Sequence, residues 1–188
     1  MDIKYLGKNG VWLMGKKEKM LINPEKEILT GTKTSGRVLA YTNARYDGVE
    51  SFDGERVILR GPGEYEIGGV EVLGVNGGDG NTIYVVEMDG VRLGYLDKLS
   101  EKLSDKRIEK VDELDVLIVS TKEPEALKLA KKWGVNYVVP VDFEVGDENI
   151  KKFLNEADEE GIEAVESLKI DKNELPEGME VVLLCPIK

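Results

Sequence analysis

Few side chains in this sequence could bind a transition metal or activate a nucleophile. The 188 residues include no histidine, and Cys185 is the only cysteine. Zinc in proteins favours imidazole and thiolate ligands, and serine and cysteine nucleophiles are commonly activated by histidine. A conventional zinc site and a catalytic Ser–His or Cys–His pair are therefore excluded. A cluster of carboxylates could still hold a hard cation such as Mg²⁺ or Ca²⁺.

Three short segments have the composition of functional motifs without the expected surroundings. Residues 61–69 are rich in glycine but lack the Lys-Ser/Thr ending of a phosphate-binding loop. The segment Gly77-Gly78-Asp79-Gly80 lacks the spaced acids and terminal glutamate of an EF-hand. Ser120 and Lys122 leave a Ser–Lys pair open, but their position after an apolar run favours the N-cap region of a helix. We predict that these segments are turns and caps.

The charge of the chain restricts its partners. Acidic residues number 37 against 26 basic ones, which gives a net charge of -11. A field of this sign repels phosphates, so we expect neither nucleic acid nor an anionic membrane as a partner. The composition is that of an ordered protein, and we predict one domain over residues 1–188. No apolar run reaches transmembrane length and no signal-peptide core follows Met1, which predicts a cytoplasmic location.

The elements that would position any site change character near Leu96. Before it, short apolar runs separated by glycine-rich turns predict strands. These are Ile3–Leu6, Gly10–Met14, Lys19–Ile22, Arg37–Thr42, Arg56–Arg60, Glu64–Ile67, Val70–Val75, Asn81–Met88 and Val91–Leu96. After it, strands alternate with helical patterns, which favours sheets covered by helices. The predicted helices are Ser100–Val111, Glu123–Trp133 and Glu148–Glu160, and the strands are Asp115–Ser120, Asn136–Val141, Ile162–Val165 and Glu180–Leu184.

A series of short blocks runs in a recognisable order from one end of the chain to the other. The blocks are Tyr5-Leu6-Gly7-Lys8, Leu21-Ile22-Asn23-Pro24, residues 41–48, residues 61–69, Asn81-Thr82-Ile83-Tyr84, residues 115–119, residues 138–143 and residues 175–181. In this series the chain resembles the metallo-β-lactamase superfamily, and within it the small ascorbate-6-phosphate-lactonase-like hydrolases. The resemblance implies an α/β (α+β) fold, a four-layer αββα sandwich.

The metal chemistry of that family depends on a T-H-x-H-x-D-H motif at the end of a strand. Alternate residues of an extended chain point the same way, so this spacing places two imidazoles in one pocket. The resemblance places the two paired histidines on Asn43 and Arg45 and the last histidine on Gly48. Of the ligand positions in this motif, Asp47 alone keeps a side chain that could bind a metal.

The other ligand positions of the family carry no histidine either. They are Gly78 or Asp79 for a loop histidine, Asp97 or Lys98 for a bridging aspartate, and Asp142 for the last histidine. The resemblance therefore implies a lost metal site, and we predict no catalytic residue, no bound metal and no cofactor.

Two interpretations of the remaining charges stay open. In the first, the cations Arg45, Lys98 and Lys8 neutralise the old site's carboxylates through ion pairs, because an unpaired buried carboxylate is costly. In the second, all these groups are solvated and need no partner.

We therefore expect a catalytically inactive, metal-free member of this fold with a binding, interaction or regulatory role. Its partner would be an unidentified protein or a second copy of the chain. One alternative is a hydrolase that holds Mg²⁺ or Mn²⁺ on the carboxylates Asp47, Asp79, Asp97 and Asp142. Another is a binder of a small anion, which would be held by the cations Lys8, Arg45 and Lys98.

Overall fold

Two β-sheets form the centre of the protein in a computed structural model, which describes residues 1–25, 35–43, 56–99, 103–144 and 146–187. The described strands are β1 Asp2–Gly7, β2 Gly10–Met14, β3 Lys19–Ile22, β4 Val38–Tyr41, β5 Val57–Arg60, β6 Gly63–Ile67, β7 Val70–Gly78, β8 Asn81–Met88, β9 Val91–Leu96, β10 Val116–Ser120, β11 Tyr137–Val141, β12 Leu168–Lys169 and β13 Glu180–Val181. The described helices are α1 Asp105–Ile108, α2 Ala126–Trp133 and α3 Glu148–Glu156.

The strand order brings several strand ends to one edge of the molecule. One sheet has six strands in the order β12-β1-β2-β3-β4-β5, and the other has seven in the order β13-β11-β10-β9-β8-β7-β6. Strands β9, β10 and β11 are parallel, so their carboxyl ends lie together. The backbone N–H of Thr82 at the start of β8 donates to the carbonyl of Thr42 after β4, at 2.8 Å. That bond joins the two sheets at this edge.

The apolar side chains of β10 show how the layers are held together. Val116 and Ile118 face the space between the sheets, whereas Leu117 and Val119 face the helices, and all four are fully buried. This burial on both faces is typical of a parallel strand in the interior of a sheet. Helix α2 packs its buried side chains, including Leu127, Ala130 and Trp133, against the same outer face. The predicted α/β sandwich is confirmed, with low helix content in the described ranges.

The strand predictions agree best with the structure where the local pattern is strongest. The predicted ranges of β2, β3, β8 and β9 are those of the structure, since turn residues such as Asp89-Gly90 mark their ends. The strand predicted over Ile162–Val165 is wrong. In its place Val165 forms a single bridge with Leu184.

The predicted helices are longer than the observed ones. The helix predicted over Ser100–Val111 is reduced to α1, and residues 100–102 lie outside the described ranges. Helix α3 ends at Glu156, and the left-handed backbone of Asp158 (φ 59°) follows its C-cap. Helix α2 begins at Ala126, and its N-cap residue is Glu125. The prediction that Ser120-Thr121-Lys122 forms the N-cap region was therefore wrong. None of the helices in the described ranges is long and apolar enough to cross a membrane.

Gly74 on β7 is crossed closely by the turn between β5 and β6. A Cβ at Gly74 would lie 2.7 Å from the carbonyl oxygen of Gly61, which is backbone and cannot rotate away. A Cβ at Gly77 on the same strand would meet its nearest atoms at 3.5 Å, an ordinary contact. We expect Gly74→Ala to lower the free energy of unfolding by about 2 kcal/mol. Gly77→Ala should change it by less than about 1 kcal/mol.

Urea denaturation followed by circular dichroism measures both variants. Equal losses for Gly74→Ala and Gly77→Ala would contradict the close approach of the turn to β7.

Candidate functional site

The predicted site positions that the structure describes lie along the edge where the strand ends meet. We call this region the strand-end edge: Thr42 and Asn43 after β4, Gly78–Asn81 where β7 turns into β8, Asp97 after β9, Ser120–Lys122 from the last residue of β10 onward, and Asp142 after β11. Lys8 follows β1, and its carbonyl accepts a hydrogen bond from the N–H of Asp142 at 2.6 Å. The predicted positions Arg45, Asp47 and Gly48 lie outside the described residues.

Asn23 organises a buried group of polar side chains at this edge. Its side-chain amide donates to Thr42 Oγ1 at 2.9 Å and to the Tyr95 hydroxyl at 3.2 Å, and its carbonyl accepts from the Thr42 N–H at 2.9 Å. The Thr42 hydroxyl in turn donates to Asp97 Oδ2 at 3.2 Å. Asn23 is 1% exposed, so its hydrogen bonds replace water entirely. The orientation of Asp97 therefore depends on a chain of neutral donors.

Two asparagine side chains bond to each other where the family has its first histidine. Asn43 Nδ2 donates to Asn81 Oδ1 at 2.7 Å. Asn81 is buried, whereas Asn43 is partly exposed. An amide carries no charge and offers a weaker ligand to a transition metal than an imidazole does. The sequence predicted a site position at Asn43 but gave Asn81 no role. The block Asn81-Thr82-Ile83-Tyr84 contributed only to the resemblance in fold.

Asp142 is bonded by Lys122 and Ser120. Lys122 Nζ lies 2.8 Å from Asp142 Oδ1, and Ser120 Oγ donates to Asp142 Oδ2 at 3.2 Å. The side chain of Asp142 is 19% exposed, so it keeps limited access to water. Both partners come from the segment after β10, and Lys122 was not among the cations that the sequence predicted for this role.

The predicted cations have other positions. Lys8 Nζ pairs with Glu25 at 2.9 Å rather than with a carboxylate of the old site. Lys98 is exposed and forms no ion pair with Asp79 or Asp142. Neither lysine is thus shown to neutralise Asp79 or Asp142, and because Asp47 lies outside the described residues, the interpretation that Lys8 and Lys98 neutralise the old site stays a prediction. The role predicted for Arg45 falls outside the described residues.

The carboxylates at the strand-end edge do not form a metal site within the described ranges. Asp79 is exposed at the tip of the turn between β7 and β8. Asp97 instead accepts a hydrogen bond from Thr42, and Asp142 accepts one from Ser120. No group of three or more Asp, Glu, Cys or His side chains in those ranges is placed to hold a metal ion. The donors among the described residues, which do not include Asp47, therefore fit neither zinc, which favours nitrogen or sulfur, nor a hard cation, which needs several oxygens.

Backbone strain is concentrated at the same edge. Lys8, Asn23 and Asp79 each have a φ of 47°, and Asp142 has 61°. A left-handed backbone costs a non-glycine residue about 1 kcal/mol or more, and such strain often persists at functional sites. The strand ends thus keep an unusual conformation although their side chains differ from the family pattern.

Tyr5 supports the loop that carries Asp142. Its hydroxyl donates to the carbonyl of Lys8 at 2.8 Å and lies 3.3 Å from that of Phe143, against whose ring it stacks at 5.2 Å. Burial raises the pKa of Tyr5 to about 12, although the bond to Phe143 partly opposes this effect. The phenol therefore stays protonated near neutral pH, where it is a structural donor and not a base.

A cavity of about 470 Å³ opens beside the Asn43–Asn81 pair. It is lined by Gly61, Pro62, Asn76 and residues 78–82. Its polar side chains are those of Asn76, Asp79, Asn81 and Thr82, and no lysine or arginine of the described ranges lines it. Such a lining favours a neutral ligand that forms hydrogen bonds over a phosphate or another anion.

Comparisons with known proteins agree with this architecture. The sequence profile of the family described as "Beta-lactamase superfamily domain" matches residues 2–142. A metallo-β-lactamase superfamily protein from Thermotoga maritima superposes with a TM-score of 0.79 at 22% identity, over 98% of each chain. A metallo-β-lactamase fold protein from Bacillus subtilis superposes with a TM-score of 0.62 at 10% identity, over 97% of this chain and 95% of that one. At these identities the structural similarity establishes the fold alone.

A metallo hydrolase from Ignicoccus hospitalis is also similar, with a TM-score of 0.56 at 13% identity over 90% of this chain and 99% of that one. Among curated protein sequences, none matches the chain significantly.

Proposed function

Because the chain belongs to the beta-lactamase superfamily, whose members are typically metal-dependent hydrolases, we propose that it has lost metal-dependent hydrolysis and acts by binding. The observation that carries this proposal is the chemistry of the strand-end edge. There, the amide of Asn43 and the ion-paired carboxylate of Asp142 stand at positions where the resemblance predicts histidine. Function depends on such a site rather than on the fold, so family membership alone does not imply activity. We retain a cytoplasmic location as the expectation from the sequence.

Lys122 supports the proposal because it brings a positive charge to the carboxylate of Asp142. A metal ion placed about 4 Å from the ammonium group would meet a repulsion of about 4 kcal/mol per unit charge, at an effective dielectric constant near 20. The ion pair itself adds less than about 1 kcal/mol to stability, since Lys122 is 57% exposed. Lys122 therefore matters for what the edge can bind more than for folding.

Added divalent cations should leave the melting temperature of the purified protein unchanged within about 1 °C. A specific site filled at 100 times its Kd would stabilise the fold by about 2.7 kcal/mol, which raises the melting temperature by several degrees. Elemental analysis should detect no stoichiometric metal, and differential scanning fluorimetry with Mg²⁺, Mn²⁺ and Zn²⁺ measures the shift. Lys122→Met tests the repulsion argument, and Lys151→Met on α3, which also removes an exposed ion-paired lysine, is its matched control.

Stoichiometric metal, or a clear cation-dependent rise in melting temperature, would overturn the proposal in favour of a hydrolase with a carboxylate-held cation. If Lys122→Met alone gains a cation-dependent rise, the ammonium group is what excludes the metal. Phosphate is titrated in parallel, and stabilisation by phosphate would favour the small-anion binder instead.

The second candidate function is a small-molecule binder, and the cavity beside the Asn43–Asn81 pair is the observation that favours it. Its amide lining favours a neutral ligand with several hydrogen-bonding groups. This differs from the anion expected from the sequence, because Lys8 is paired with Glu25 and Lys98 does not line the cavity.

A further inference from the structure

At the end opposite to the strand-end edge, the outer face of the seven-stranded sheet has one half that is covered by a helix and one half that is open. Helix α2 packs over β10 on this face. Over β6–β9 lies an open groove of about 450 Å³, whose floor includes Leu73 and Val85. The face therefore has a raised half and a recessed half.

Carboxylates form a continuous row across the recessed half. The strand register pairs Glu66 with Glu71, Glu71 with Glu87, and Glu87 with Arg92. Directly opposed residues in antiparallel strands have neighbouring side chains on one face, so like charges there repel each other. Arg92 lies 4.0 Å from Glu87, and its guanidinium also donates to two backbone carbonyls. Within the described ranges, Glu66 and Glu71 have no ion pair that would offset this repulsion.

Lysines cover the outward side of the raised half. Lys128, Lys131 and Lys132 of α2 are exposed, and their spacing of three and four residues places them on one helical face. Lys128 has a local partner in Glu125, at 2.9 Å. The same outer face thus carries a row of acids in its recess and a row of bases on its ridge.

We propose that two copies of the chain associate through this face about a two-fold axis, with the lysine ridge of α2 in the acidic groove of the partner. A two-fold interface uses the same surface twice, so a ridge and a groove of opposite charge on one face satisfy it. The contact forms two equivalent sets of ion pairs over an apolar floor. Because each copy carries a net charge of -11, association depends on this local complementarity and weakens as salt screens it.

Charge reversal tests the proposal on the full-length chain by sedimentation velocity over a range of concentrations. The variants are Glu71→Lys in the groove and Lys131→Glu on the ridge, with Glu166→Lys as a control for charge outside this face. We expect wild type to dimerise, each reversal to raise the dimer Kd at least tenfold, and Glu166→Lys to change it less than threefold. An equimolar mixture of the two reversed variants should form a heterodimer, because each reversed ridge then meets a reversed groove and each native ridge meets a native groove.

Circular dichroism shows whether a variant has misfolded. Glu71→Lys is expected to fold, because it removes the like-charge repulsion of Glu71 with Glu66 and Glu87. A wild-type chain that stays monomeric at every concentration would refute the proposal, and so would a dimer that neither reversal weakens. Failure of the mixed variants to associate, when wild type does dimerise, would also refute it. The inference does not depend on the loss of hydrolysis proposed above.

Discussion

Asn23→Ala should lower the free energy of unfolding by about 3 kcal/mol and the melting temperature by about 10 °C. Three side-chain hydrogen bonds in a buried position disappear, which leaves the N–H of Thr42 without its partner. One unsatisfied buried donor alone costs about 1–3 kcal/mol. Alanine must also adopt the φ of 47° that asparagine tolerates better, at about 1 kcal/mol.

Two further substitutions separate these causes. Asn23→Gly restores the freedom to adopt a positive φ but not the hydrogen bonds, so we expect a loss of about 2 kcal/mol. Asn23→Asp keeps an acceptor for the Thr42 N–H and places a second carboxylate in the network that already contains Asp97. Thermal and urea denaturation measure all three variants, and an equally stable Asn23→Ala protein would contradict the role of this residue as the centre of the network.

The consequence for function is that Asn23 links stability to the candidate site. Thr42 is bonded to both Asn23 and Asp97, so loss of the asparagine frees the threonine hydroxyl that orients the carboxylate. Asn23 would thus stabilise the fold and also hold Thr42 and Asp97 in place at the strand-end edge. This coupling explains physically how side-chain hydrogen bonds alone order Thr42 and Asp97 at the strand-end edge.

The parts of the fold that could be predicted from the sequence are those with a local signal. Hairpins such as β8–β9 are marked by a two-residue turn, and β10 by a continuous apolar run bounded by polar residues. Helix starts were predicted less well. Pro124 and the Glu123 carboxylate, which bonds the N–H of Leu99, occupy the segment in which α2 was predicted to begin.

The positions of the candidate site could be predicted, but not their partners. The family resemblance gave Asn43, Asp97 and Asp142, since each follows a strand end. Lys122 and Asn81 were not identified as partners, because contacts across 20 and 38 residues of sequence depend on how the strands are arranged in space. Lys8 and Lys98 were expected at the site because they stand at positions of the family pattern, but sequence alone does not tell which partner a flexible lysine side chain takes, such as Glu25 for Lys8.

Asp115→Ala is expected to cost about 3 kcal/mol of unfolding free energy at the end of the sheet remote from the candidate site. The Asp115 carboxylate is 8% exposed and accepts from Lys172 Nζ at 2.6 and 2.7 Å and from the Arg92 N–H at 2.8 Å. Hydrogen bonds to a buried charged group contribute about 1.5–3 kcal/mol, and removing the carboxylate leaves the β9 backbone donor unpaired. Urea denaturation measures the loss.

Two matched variants decide which of these contacts dominates. Lys172→Met should cost about 1–2 kcal/mol, because it leaves the nearly buried Asp115 carboxylate without its cation, although Lys172 itself is 47% exposed. Asp115→Asn keeps an acceptor for the Arg92 N–H, so its loss of unfolding free energy should lie between those of Lys172→Met and Asp115→Ala. If Lys172→Met is as destabilising as Asp115→Ala, the ion pair and not the buried backbone bond is the main contribution. Because Asp115 is remote from the cavity, its loss should lower stability without changing what the strand-end edge binds, in contrast to the loss of Asn23.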